Sequence, residues 1–231
     1  SGSADWTSPS SWSPNRNSPA NNDVLLFNQG GNSTAINVPN ETDGKLQVSN
    51  NTTINLEAGG GNTLTIGETA SDSLTVASGC QLNITGTSAL TIALPTGARG
   101  SISGSMIFSN AADTLTAADA SGITFNSGAT FTQNCVGNIF GSGTANSIIF
   151  APGSTFIQFT GGNPFQKSQP ASVVVFQPGS LFSCRGNTMP SSSGRTYADF
   201  ECNETNLPAS LSGTSPLTMS NSTVVQNTLS I

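Results

Sequence analysis

The sequence predicts an all-β chain wound as a right-handed parallel β-helix: a solenoid of about eight coils, roughly 25 residues each, with three strands per coil. Three observations predict it. Glycines recur at Gly79, Gly104, Gly128, Gly153 and Gly179, at spacings of 25, 24, 25 and 26 residues. Apolar residues alternate on both sides of these turns, as on strands with one buried face. No sustained apolar stripe at i, i+3, i+4 runs through the chain, so helix is not expected.

With each glycine as phase zero, the third residue beyond it is apolar every time: Leu82, Ile107, Phe131, Phe156 and Phe182. Three positions before it stand Val76, Phe125, Phe150 and Phe176, and five before it Leu74, Ile123, Ile148 and Val174. The Gly104 repeat departs upstream, offering Arg99 and Ser101. Asn51 extends the series backwards, with Leu46, Val48, Ile54 and Leu56 in phase. A third apolar patch follows at Leu64 and Ile66, Leu90 and Ile92, Leu115, Ile139 and Phe140, and Phe165. Three patches per period give a triangular coil, and like phases should align as columns, with Phe125, Phe150 and Phe176 in one and Phe131, Phe156 and Phe182 in another. An antiparallel sandwich is the competing architecture, but a single hairpin does not repeat five times.

Only 8% of residues are charged, and the balance is −6, from 12 carboxylates against six Lys and Arg. Nucleic-acid binding is therefore not expected, because phosphate contacts need clustered cations. No apolar run reaches the length of a membrane span. With no His, Ser-His-Asp triads and His-bearing zinc sites are excluded. The four Cys lack CxxC spacing, so no metal site or cofactor is expected.

Residues 1–23 read as an N-terminal cap and 24–231 as the β-helix domain. Trp6 and Trp12 are placed to lie across the open first coil, and Pro9, Pro14 and Pro19 cannot donate to a ladder. The pattern Trp6, Trp12, Ser13, Pro19 and Asp23-Val24 ahead of polar β-repeats resembles the opening of large secreted β-helix surface proteins of Bacteroidetes-type bacteria, which are adhesin-like. The similarity covers the first 27 residues and the general repeat character. It implies a secreted or cell-surface setting and neighbouring modules in a longer chain, and it supplies no active site. Residues 217–231 read as one more coil around Ser222, without a comparable cap.

Insertions interrupt the repeats near residues 160–171 and 186–200. Lys167, Arg185, Arg195, Tyr197 and Asp199 gather in or beside them and form the candidate ligand site, with a glycan or cell-surface polymer as partner. Tyr197 would supply a stacking ring and Arg185 and Arg195 polar contacts. Cys184 and Cys202, 18 residues apart, are expected to bridge adjacent coils, with Cys80 and Cys135 reduced.

The function expected is a non-enzymatic extracellular module for a structural stalk or adhesion. A polysaccharide lyase or hydrolase is the alternative, resting on Arg185 with Asp199, or on paired carboxylates such as Asp113 and Asp119. Ice binding is a minor alternative. Thr63, Thr65, Thr75 and Thr91 hint at it, but the period places no Thr at one phase across the coils.

Overall fold

The computed structural model describes residues 2–67, 72–186 and 194–203, together with the strands Leu217–Met219 and Thr223–Val225. Residues 187–193 of the second insertion, Ser222, and the side chains beyond Asn203 lie outside the described residues.

Apart from the strands at the sheet edges, each strand pairs in parallel with its counterpart one coil earlier and one coil later. The Thr130–Cys135 strand, for example, has Ser105–Asn110 on one side and Thr155–Gln158 on the other. Stacking builds a long sheet of ten strands, a middle sheet of seven and a short sheet of four, and Arg195–Tyr197 pairs with Leu217–Met219 in a separate two-stranded sheet. No α-helix occurs among the described residues; one turn of 3-10 helix spans Pro9–Ser11. The stack amounts to about six turns rather than eight. A complete coil needs a strand on each of three sides, and the third side has only four, ending at Thr114–Ala117. Beyond it, Phe140 and Phe165 still fill the core from non-strand backbone.

The core consists of inward columns. Phe125, Phe150 and Phe176 stack at 4.5 and 5.0 Å between ring centroids. Phe131, Phe156 and Phe182 stack at 5.7 and 5.1 Å, and Phe200 continues that column at 5.7 Å. The two columns meet edge to face, as Phe150 and Phe156 do at 5.6 Å and 90°. Burying each ring contributes ~2–3 kcal/mol before entropy, and such ring pairs add roughly 0.5–1.5 kcal/mol. No coil hides its own rings; the neighbours do.

The Gly104 repeat corrects the predicted phase. Ile102 pairs with Val76 and Phe125, and Met106 with Leu82 and Phe131. Three residues therefore separate the inward positions at this corner, where five separate Val76 from Leu82. Met106 and Phe108 point inward and Ile107 does not. Gly104 is what permits the short corner: a Cβ there would stand 2.4 Å from the carbonyl oxygens of both Ala77 and Cys80.

The N-terminal segment packs against the first coil. Ser3–Asp5 adds an outer strand to the long sheet beside Gly31–Val38. Trp6 is buried, its indole donates to Glu41 at 2.8 Å, and Trp12 meets it edge-on at 5.0 Å.

Gly104→Ala should destabilise the protein by about 1–3 kcal/mol through overpacking against backbone, and Phe156→Ala by about 3–5 kcal/mol through the cavity it leaves. Urea unfolding measures both.

Candidate functional site

The long sheet turns a corner after Gln158, Cys184 and Cys202, which end their strands, and Gln133 lies in register with them two residues before its own strand ends. The next residue of each coil is Asn134, Phe159, Arg185 or Asn203, and all four are exposed. Main-chain bonds hold them at one height per coil, from the Phe159 N–H to the Gln133 carbonyl, Arg185 to Gln158 and Asn203 to Cys184. Phe159 is 42% exposed, whereas the stacked rings of the core are covered. Val136, 55% exposed, lies beyond Asn134 in the same coil. Gly186 fixes the approach of the next coil, because a Cβ there would stand 1.5 Å from the Phe159 carbonyl oxygen.

Arg185 is positioned by its own sheet. Its Nε donates to Ser183 Oγ at 2.9 Å, and that hydroxyl donates to Glu201 Oε2 at 2.5 Å. Arg185 Nη2 lies 3.6 Å from the same carboxylate oxygen. Ser183 and Glu201 are register partners on neighbouring strands, so the triad follows from the coil spacing. With both groups partly exposed, the ion pair contributes little to stability; its effect is to orient the guanidinium.

The structure separates the other predicted site residues. Lys167 is exposed in the 160–171 segment. Asp199 stands outward on Asp199–Cys202, opposite Leu181. Arg195 and Tyr197 are buried at 8% and 1% exposure, so Tyr197 does not offer a surface ring. It continues the Phe176 column, stacked at 6.1 Å and 25°, while Arg195 sits 5.6 Å over the Phe165 ring. The misreading has a physical source. Tyr197 and Phe200 flank a short corner like that at Gly104, so residues expected in a loop belong to the strands Arg195–Tyr197 and Asp199–Cys202. Burial pushes the Tyr197 hydroxyl above its ordinary range.

The carboxylates proposed for hydrolysis do not meet. Asp113 is 1% exposed and accepts the Leu90 N–H at 2.8 Å, and burial pushes it up to about 6. Asp119 is held by Arg99 at 2.8 Å, and that hydrogen bond lowers its pKa. Arg185 engages Ser183 and Glu201.

Cys184 and Cys202 are direct register partners, both buried, and both carry thiols in the structure. Neighbouring strands lie about 4.8 Å apart, within the ~4.4–6.8 Å that a disulfide spans between α-carbons. The predicted adjacency holds, although no bridge is formed between them in the structure.

Threonine does recur at one phase on the short sheet, contrary to the expectation from the period alone. Thr63, Thr91 and Thr114 share one outward column, and Thr65 and Thr116 another with Ala93 between them. The Thr91 and Thr114 hydroxyls are 2.8 Å apart. Thr75 lies elsewhere, on the middle sheet between Gln47 and Ser101.

No protein family, curated protein or solved structure matches the chain.

Burial keeps Asp113 protonated to higher pH in the fold than in the unfolded chain, near 3.9. Its share of stability therefore falls as pH rises from about 4 to about 6 and levels above that. Asp113→Asn should remove this part of the slope in urea titrations across pH 4–7. Peptide mapping without reductant, after exposure to oxidised glutathione during refolding, should recover Cys184 joined to Cys202, with Cys80 and Cys135 still alkylatable; a Cys80–Cys135 bridge would contradict the coil register.

Proposed function

We propose that this chain is a non-enzymatic, extracellular β-solenoid module of a larger secreted or cell-surface protein, serving as a stalk and adhesive element that binds a glycan. The reading is supported most by the exposed column Asn134, Phe159, Arg185 and Asn203. A sugar ring presents an apolar C–H face and a rim of hydroxyls. Phe159 matches the first, and two amides and an oriented guanidinium match the second. Successive coils repeat these groups about 4.8 Å apart, which suits an extended polymer lying along the rod. The solenoid itself suits a stalk: its strands are hydrogen-bonded on both sides through most of the stack, so load is shared between coils. Low charge and the resemblance of residues 1–27 support the extracellular setting.

The alternative is a polysaccharide lyase or hydrolase, which would use Arg185 with a nearby carboxylate. A glycan array followed by a reducing-end assay separates the two. The module binds without turnover, and Phe159→Ala weakens binding by about 1–1.5 kcal/mol, roughly tenfold. Turnover abolished by Arg185→Ala would overturn the module, and binding untouched by both substitutions would overturn the site. The threonine columns favour ice binding as a second reading; they span only the short sheet, and thermal hysteresis lost on Thr91→Tyr would establish it.

A further inference from the structure

At the first coil, one guanidinium holds three carboxylates. Arg16, from the cap, contacts Asp23 at 2.6 Å and also reaches Glu41 and Asp43 on the Glu41–Asp43 strand. Trp6, also from the cap, donates to Glu41. Main-chain bonds close the same boundary, from the Trp6 N–H to the Ile36 carbonyl at 2.9 Å and from the Lys45 N–H to the Asp23 carbonyl at 3.0 Å. The Asp43 side chain is wholly buried, and its Oδ2 has no hydrogen-bond partner. The groups facing Asp43 are Arg16 and Asp23 from the cap and Glu41 from its own strand, with Lys45 two positions along. Three negative charges around one positive charge leave an excess that buried surroundings do not tolerate. A proton on the buried Asp43 carboxyl relieves it. Beside the cluster a groove of ≈ 960 Å³ runs between cap and first coil, lined in part by Trp12, Arg16, Asp23 and Phe27, which gives water a route to this boundary.

We propose that the cap is a proton-dependent clasp: with Asp43 protonated it closes over the first coil, and on losing that proton it loosens. Burial, then the Glu41 charge, push Asp43 up to about 7 against the pull of Arg16. In an opened cap Asp43 would return toward its ordinary value near 3.9. The closed form therefore holds more protons between about pH 4 and pH 7, and closure weakens across that window and levels above it. Asp23 works in the opposite direction. Its hydrogen bond from Arg16 lowers its pKa, so its contribution is present at neutral pH and fades only in stronger acid. Closure is tightest in the mildly acidic range.

Hydrogen exchange tests this on the intact chain, because the Trp6 and Lys45 amides bond across the boundary while the Asn126 amide bonds to Ile102 in mid-rod. After correction for the intrinsic pH dependence of exchange, protection of Trp6 and Lys45 should fall about tenfold or more between pH 5 and pH 8 relative to Asn126. Asp43→Asn should flatten that fall. Glu41→Gln, which removes the like charge yet can still accept from Trp6, should move its midpoint to lower pH. A wild-type ratio constant from pH 5 to pH 8 overturns the clasp, as does a folded Asp43→Asn protein that keeps the full fall. Should Asp43→Asn not fold, an unmoved midpoint in Glu41→Gln overturns it instead.

Discussion

Everything in this molecule depends on a backbone that returns to the same angular position once per coil. Parallel strands about 4.8 Å apart place each residue over its counterpart, so any preference of one position is repeated up the rod. Inward, this turns scattered phenylalanines into columns such as Phe131, Phe156, Phe182 and Phe200. Outward, it sets hydroxyls, amides and charges in rows with a fixed spacing. The same constraint makes the two ends costly, since a terminal coil has covered neighbours on one side only. At the N-terminal end the cost is met by Trp6, Trp12 and the Arg16 cluster.

Much of this architecture was legible because the period is written in inward residues. Leu46, Leu74, Ile123, Ile148 and Val174 read correctly as core, since burial on a strand face demands apolar side chains every second position. The errors share one cause, corner length. At Gly104 the corner loses residues, so a phase counted from glycines slips and sends Ile107 inward; between Tyr197 and Phe200 the corner is again short, so Tyr197, read as part of an insertion, belongs to a strand. A count made from apolar alternation within each strand would have followed Ile102 and Met106 through the short corner. The number of turns was overestimated for a related reason, because the period continues after the third side stops forming strand.

The candidate site was less legible than the fold. Arg185 was visible as a cation near an insertion, but its orientation by Ser183 and Glu201 depends on two coils meeting in register, which no local pattern encodes. No pattern in the sequence singles out Phe159, one position past an alternating strand. Its exposure follows from that extra position, since a single step along a strand reverses the face a side chain takes. The threonine columns were hidden by the same dependence on register, with Thr91 and Thr114 adjacent in space although 23 residues apart. Surface chemistry on this fold is a property of pairs of coils, and a linear reading sees one coil at a time.

The central claim is the regular rise of in-register coils, and spin-label distances along one outward column test it most directly. Gln47, Thr75, Ser101, Thr124, Ile149 and Val175 are consecutive register partners on the middle sheet. With one label fixed at Gln47 and the second moved coil by coil, separations should climb by about 4.8 Å per strand, to roughly 24 Å at Val175. Distances that fail to increase in that order would contradict the account.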